Sequence, residues 1–287
     1  MADLTERQTL QESLPPTPLT LEGSFLLHQM FRVRWPSWKA LSASRKKQAV
    51  KEATSLLQRM EKGGGEQSAV FSLLGHKGDL MLVHFRRTLD ELNDAELRVA
   101  NLKLAEFLEP TTSYISVVEL GLYEASVRLF GELKEKGLRP DTPEWNGAVE
   151  AELEKQRKAA APRLSPEIPA RRYVCFYPMS KLRGEEKNWY EAPITARQQM
   201  MRSHGMIGRR YAGKVIQIIS GSIGLDDWEW GVDLFADNPL VFKRLVTEMR
   251  FDEASAAYGL FGAFYVGLRF PAAKLGTLLE GKAPSTA

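Results

Sequence analysis

LDDWEWGVDLF, Leu225–Phe235, is a turn of acidic residues running into a strand, and it has a counterpart in GDLMLVHF, Gly78–Phe85. The two stretches hold the same place in two successive patterns. Outward from the first of them, Leu21–Val33 alternates as a strand does. Ala49, Ala53, Leu56, Leu57 and Met60 then share one helical face, and the glycines at 63–65 end that helix. Leu80–Phe85 is a strand. Leu92, Ala95, Val99, Leu102 and Ala105 recur at helical spacing in a stretch closed by Pro110, and Tyr114–Leu120 is β-branched and strand-like. Around the second stretch, Tyr173–Tyr177 is a strand, Ala196–Tyr211 a helix, Val215–Ser220 and Trp228–Ala236 strands, Pro239–Glu248 a helix, and Arg250–Ala254 and Phe264–Phe270 further strands. The reading is an α+β fold of two β-α-β-β-α-β units, with sheets burying their apolar faces against each other and helices outside.

The domain boundaries follow. Residues 1–18, ending in PPTP, form an arm; 19–125 is the first unit; 126–170 is a connector; 171–275 is the second unit; 276–287 is a tail. Between Glu132 and Ala170 lie five prolines and a highly charged amphipathic helix around Glu150–Lys158.

With 287 residues, 44% hydrophobic and 26% charged, the chain has the composition of a globular protein. Its single cysteine, Cys175, excludes an internal disulfide, and no Cys/His cluster has zinc-site spacing. The N-terminus lacks the basic start and apolar run of a secretion signal, and the uncharged stretch Ala254–Leu268 is too short and glycine-rich to span a bilayer, so a cytoplasmic protein is expected. The net charge of +3 is unevenly spread: from Arg163 to Lys214 there are eleven Lys/Arg against four Asp/Glu, leaving −4 for the remainder. A basic stretch of this kind is a solvated face, a nucleic-acid patch or an anion site. No helix-turn-helix, zinc-finger or RNA-binding signature accompanies it.

The same window holds the residues suited to chemistry. Ala196, Met200, His204, Ile207 and Tyr211 fall in one helical stripe, so His204 faces the core, either as a satisfied core residue or as a ligand. His28 and His84, in strands, are its weaker rivals. Gln217 sits among aliphatic residues on a strand, facing with Val215 and Ile219, and its buried amide needs a partner, a backbone group or a bound ligand. Tyr173, Cys175, Tyr177 and Met179 share a face. Pro178 ends regular pairing there, so Tyr177 and Met179 stand at a strand end; Tyr177 is core packing, or a radical carrier beside an oxidising cofactor. Lys181 and Arg163 are the matching anion partners. Cys175, among apolar neighbours, reads as inert. Asp226, Asp227 and Glu229 read as exposed turn caps, and Ser222 lacks the setting of a hydrolase nucleophile. Together the window points to a buried iron porphyrin bearing several carboxylates.

YPMSK at 177–181, NWY at 188–190, HGMIGRRYAGKVIQ at 204–217, GSIGLDDWEWGVDLF at 221–235 and EMRFDEASAAYGLFGAFYVG at 248–267 closely resemble the coproheme decarboxylases of the chlorite dismutase-like superfamily. The resemblance covers about the last hundred residues strongly and the first half through its element order. It implies two ferredoxin-like repeats forming a dimeric α/β barrel-type subunit, a homopentamer, and a porphyrin held in the C-terminal half. Carried over by motif, His204 is the proximal iron ligand and Gln217 occupies the distal position, an arginine in true chlorite dismutases. Tyr177 is the radical-forming tyrosine and Lys181 its catalytic companion. Arg163, Tyr177, Met179, Lys181 and Ser255 bind propionates, with Pro178 and Ser180 contributing backbone contacts. Arg250 is a further anion partner, although strict alternation from Met249 to Ser255 would turn it away from Ser255.

The reaction so implied is the hydrogen-peroxide-dependent oxidative decarboxylation of two propionates of Fe-coproporphyrin III (coproheme) to vinyl groups, giving haem b. The expected partners are coproheme, peroxide and a transient contact with the coproporphyrin ferrochelatase, with no nucleic acid and no transmembrane segment. The alternatives are a chlorite dismutase or peroxidase-like haem enzyme, and a non-catalytic haem-binding or delivery protein.

Overall fold

A computed structural model of the chain describes residues 14–62 and 67–285. The glycines at 63–65, residues 1–13 of the expected arm and the last two residues of the tail lie outside the described residues. In chain order the elements are β1 (Thr20–Val33), α1 (Trp35–Ala40), α2 (Ala43–Glu61), β2 (Gln67–Leu73), β3 (Leu80–Arg86), α3 (Leu89–Ala100), β4 (Leu108–Gly121), α4 (Tyr123–Glu135), α5 (Pro143–Leu164), β5 (Tyr173–Lys181), α6 (Ile194–Arg209), β6 (Ile216–Gly221), β7 (Trp230–Ala236), α7 (Leu240–Met249), α8 (Glu253–Ala256), β8 (Gly259–Phe261), β9 (Tyr265–Phe270) and α9 (Leu275–Leu279).

The strands pair antiparallel in the order β7-β6-β4-β1-β3-β2-β9-β5, and β5 pairs again with β7. The eight strands therefore form one closed ring, where the sequence reading expected two sheets face to face; β8 is added beside β5. Each of the eight strands thus has a neighbour on both sides, although β4 and β6 meet over only two residue pairs, Val117↔Gly221 and Val118↔Ser220. Within the ring the first-half strands run β4-β1-β3-β2 and the second-half strands β9-β5-β7-β6, the same relative order twice.

Both faces of the ring are covered, which explains apolar runs without clean alternation. Every residue of β3 is buried. Met81, Val83 and Phe85 point into the ring with Phe71, Phe176 and Phe235, while Leu80 and Leu82 pack outward against the stripe Ala53, Leu56, Leu57, Ala95 and Val99 of α2 and α3. Each such Leu or Phe side chain contributes roughly 1.5–3 kcal/mol by leaving water.

Several boundaries depart from the sequence reading for local reasons. Thr88 and Glu91 form a reciprocal capping box that starts α3, and the helix ends at Ala100 instead of running to Pro110. Pro110 lies inside β4 opposite Phe31, beside a register shift where a missing N–H is tolerated. The strand β2 has no counterpart in the sequence reading because QSAVFSL is short and its apolar residues run together. The expected connector is mostly two helices, α4 and α5. Thr142 caps α5 and Pro143 opens it, and its Ala160 and Leu164 pack on Leu21 of β1. The expected tail contains α9, whose Leu275, Leu278 and Leu279 join the core.

Two corrections bear on the site. Pro178 does not end pairing: β5 continues through Pro178↔Gly231 and Met179↔Trp230 to Lys181. On its other edge Pro178 faces the break between β9 and β8, where its carbonyl accepts from the Gly262 N–H at 2.9 Å. The stretch Arg250–Ala254 is not a strand. Arg250 closes α7, and the Asp252 side chain caps the short helix α8 by accepting from the Ser255 N–H.

Candidate functional site

Alternation along β5 divides its side chains between two environments. Val174 and Phe176 face the ring interior, whereas Cys175 and Tyr177 face outward and pack with Val232, Leu234, Tyr211, Val215, Leu245 and Met249 beneath α6 and α7. Tyr177 is only 4% exposed. Its ring stacks on Phe264 at 4.4 Å, and Phe261, 6.0 Å away, carries the Arg250 guanidinium 3.8 Å above its own ring. Burial, reinforced by Cys175 and opposed by Arg250, raises the phenol above its ordinary range, so Tyr177 stays protonated at neutral pH. The Cys175 thiol is pushed up to about 12 by burial, in keeping with an inert side chain.

On α6, the stripe predicted from the sequence straddles two clusters. Met200 packs with Trp189 and Ala254, while Ile207 and Tyr211 pack with the Tyr177 cluster. His204 falls between them, 27% exposed at its side chain and therefore at the rim of the core, not inside it. Its Nδ1 is 2.9 Å from Oδ2 of Asp252. The same carboxylate accepts from the Ser255 hydroxyl at 3.1 Å and, through Oδ1, from the Ser255 N–H at 3.1 Å. A carboxylate acceptor fixes the tautomer with hydrogen on Nδ1 and leaves Nε2, which has no partner among the described residues, as the lone-pair nitrogen. Sequence reasoning missed Asp252 because the segment was read as a strand. The available signal was the cap spacing Asp252-x-x-Ser255.

Lys181 ends β5 and is 7% exposed. Its Nζ donates to the Ala254 carbonyl at 2.7 Å and lies 4.4 Å from the centre of the Trp189 ring. Burial pulls the ammonium down to about 8, with Asp252 and Glu229 working in the opposite direction. Asp252, through its own bond to His204 and through α8, thus lies between the imidazole and the lysine. Glu229 is buried at 7% exposure, not an exposed turn cap, and its Oε2 accepts from the Lys181 N–H at 2.7 Å.

The remaining expected residues distribute unevenly. Ser180 is buried and its hydroxyl accepts from the Glu229 N–H, and Met179 is half-buried against the Tyr177 cluster. Gln217 is half-buried on β6, and its side-chain amide makes no hydrogen bond among the described residues. A Cβ added to Gly208 of α6 would come 3.2 Å from Gln217 Nε2, so strand and helix approach closely there because position 208 lacks a side chain. Arg250 and Ser255, placed on opposite faces by strand alternation, are instead at the end of α7 and in α8. Arg163 stands apart: it is exposed in the last turn of α5, a helix that packs on β1, β4 and α4.

The rival histidines are committed elsewhere. His28, fully buried inside the ring, is 3.0 Å from Asp233 and stacks on Phe176 at 4.0 Å. His84 contacts Ser68 and Gln29 through its two ring nitrogens, and burial pushes it down to about 3. Among the described residues no group of three or more His, Cys, Asp or Glu is disposed to hold a metal ion. His204 thus presents a single imidazole nitrogen with a carboxylate behind it. Two clefts of about 350 and 320 Å³ lie elsewhere, around Arg59, Arg86 and Asp94 and around Gly23, Arg157 and Ser165, and include none of these residues.

Comparisons with known proteins bear on the fold as a whole. The family described as chlorite dismutase matches residues 46–270. A protein of Haloquadratum walsbyi whose name proposes that it binds haem is 45% identical over 276 residues, 95% of this chain and 48% of its own length, so the chain spans about half of that relative. The solved structure of a haem-binding protein from Thermus thermophilus is similar with a TM-score of 0.79 and 38% identity, covering 94% of this chain and all of that one. A mutant chlorite dismutase of Candidatus Nitrospira defluvii, 18% identical, has a TM-score of 0.67 over 91% of this chain and 96% of its own, a likeness of fold.

Proposed function

The chain belongs to the chlorite dismutase family, and from that premise we propose that it is a coproheme decarboxylase, removing two propionates from Fe-coproporphyrin III with hydrogen peroxide to leave the vinyl groups of haem b. One observation carries the reading: a buried phenol and a buried ammonium, Tyr177 and Lys181, stand on the outer side and end of one strand, and the ammonium donates to the short helix capped by Asp252, the carboxylate that holds the His204 imidazole. The macrocycle supplies peroxide activation at its iron when bound, and its own side chains are the substrate.

His204 would hold the metal through Nε2, with Asp252 keeping the hydrogen on Nδ1. Tyr177 gives up its phenolic hydrogen and recovers one from a propionate Cβ–H. Each cycle oxidises one propionate by two electrons, releasing carbon dioxide and leaving a vinyl group, while one peroxide is reduced to water. Lys181 would face the propionate anion, with Arg250, Ser255, Met179 and Ser180 completing the contacts and Pro178, which has no N–H to donate, lining them. Arg163 belongs to this set by the overall resemblance alone, without a local motif, and stands exposed on α5. By the resemblance, Gln217 would present a neutral amide to the bound porphyrin. A charged donor at that position is what chlorite breakdown would use, so oxygen release from chlorite is expected to be absent.

The same reading extends to the assembly and the fold. The twice-repeated strand order, each with helices between its first and second and its third and fourth strands, supports two ferredoxin-like repeats, 19–125 and 171–275, as a dimeric α/β barrel-type subunit. A homopentamer, a cytoplasmic setting and a transient contact with the coproporphyrin ferrochelatase complete the proposal. Among the described residues no helix is long and apolar enough to cross a membrane.

The Haloquadratum and Thermus relatives are named for haem binding, which a second reading, a haem carrier without chemistry, accommodates equally. Coproheme and peroxide incubated with the protein separate the two: loss of two carboxyl groups supports the enzyme, and an unchanged porphyrin supports the carrier.

A further inference from the structure

Glu229 is a buried carboxylate that the proposed chemistry leaves unused, and it is bonded on every side. Its Oε2 accepts from the Lys181 N–H at 2.7 Å, while its own N–H donates to the Met179 carbonyl at 3.1 Å and to the Ser180 hydroxyl at 3.3 Å. Its carbonyl accepts from the Ser222 N–H at 2.8 Å. Oε1 lies 3.8 Å from Nε of Arg183, and the Tyr190 phenol faces the same carboxylate. Arg183 and Tyr190 belong to the loop between β5 and α6, and that loop also carries Trp189, the ring beneath the Lys181 ammonium. The loop is pinned from within by the Arg183↔Asn188 bridge and by the Trp189 N–H to Leu182 carbonyl bond of 2.9 Å. One side chain therefore ties down both the backbone of Lys181 and the loop that packs on its side chain.

We propose that Glu229 is the positioning residue for Lys181, holding the end of β5 and the 182–192 loop so that the ammonium points at the propionate site. The proposal rests on the function assigned to Lys181 above. The carboxylate accepts from a backbone N–H on one side and sits between a guanidinium and a phenol on the other, so a neutral amide of the same shape preserves the first contact and weakens the second. The charged and titratable groups around Lys181 are Glu229 before β7, Asp252 at the cap of α8, and Arg183 and Tyr190 on the loop. Of these, Glu229 and Asp252 both favour the ammonium form.

The test uses Glu229→Gln and Glu229→Ala, read first on the protein without porphyrin. Exchange of the Lys181 amide hydrogen is expected to accelerate on the order of tenfold in Glu229→Ala and to change little in Glu229→Gln, which still accepts that bond. The Lys181 ammonium, followed by NMR with isotope-labelled lysine, is expected to deprotonate at lower pH in both variants. With coproheme, both are expected to bind porphyrin within about threefold of the parent but to decarboxylate on the order of tenfold more slowly, with the alkaline limb of the pH profile moved to lower pH. Unchanged amide exchange and unchanged lysine titration in both variants would overturn the proposal. If both shift as expected but the parent protein leaves coproheme intact, the positioning role stands and the decarboxylase reading fails.

Discussion

Oδ2 of Asp252 lies 2.9 Å from Nδ1 of His204 and, at 3.1 Å, accepts from the hydroxyl of Ser255, so the group that orients the imidazole is itself held by the helix it caps. Replacing the carboxylate leaves His204 free to rotate and makes it a weaker donor to a metal. Asp252→Ala is expected to lower the affinity for ferric porphyrin by about 10–100-fold, measured by absorbance titration, and loss of the cap is expected to destabilise the fold by about 1 kcal/mol. An unaltered affinity would mean that His204 does not carry the iron.

Tyr177→Phe removes one oxygen that makes no hydrogen bond among the described residues and keeps the ring stacked on Phe264. Its unfolding free energy is expected to stay within about 1 kcal/mol of the parent, and coproheme is expected to bind as before. Decarboxylation, followed by separating the porphyrins after peroxide addition, is expected to be abolished. Haem b produced at the normal rate by this variant removes Tyr177 from the mechanism.

Lys181 gives a pH dependence whose sign is set by its burial. Its folded value of about 8 lies below the ordinary 10.5, so between these limits the unfolded chain binds more protons than the folded one. This group alone therefore makes stability rise with pH across that interval, while the ammonium form needed beside a carboxylate is lost. Decarboxylation is expected to fall above about pH 8 without loss of fold, which circular dichroism checks at the same pH values. Lys181→Met is expected to be folded and inactive at every pH; retention of the alkaline limb in that variant would assign the limb to another group.

Inside the ring, His28 and Asp233 join β1 of the first half to β7 of the second and are both shielded from solvent. Removing one partner leaves the other buried without its hydrogen bond, so Asp233→Leu is expected to destabilise by about 1–3 kcal/mol in denaturant titration. Porphyrin binding by the fraction that remains folded is expected to be unchanged, because the pair faces away from Tyr177 and His204.

Much of this architecture is legible in the chain. The helical stripe through Met200 and His204, the strand face shared by Cys175 and Tyr177, and, apart from the stretch Arg250–Ala254, the order of strands and helices in the second half follow from periodicity and correspond to elements of the structure. The rest depends on contacts between distant residues or on short local signals that compete. Asp252 is 48 residues from the imidazole it holds, and a cap read as strand hides it. Glu229 stands beside two other acids in a turn, where exposure is the ordinary expectation, and only the return of β5 alongside it buries the carboxylate. Pro178 looks like a strand end because its neighbour across the break at Gly262 is invisible until the chain closes. The strand β2 is hidden for a different reason, since seven residues with a single apolar run of three, Ala69, Val70 and Phe71, carry no period of their own.

If the assignment of Tyr177, Lys181 and His204 is right, the protein alters the side chains of the porphyrin it binds. Mass spectrometry of Fe-coproporphyrin III after incubation with the protein and hydrogen peroxide decides this. Stepwise loss of two carboxyl groups to give haem b is expected, and is expected to be absent in Tyr177→Phe. Recovery of intact coproheme from a complex whose iron is bound by His204 would refute the assignment.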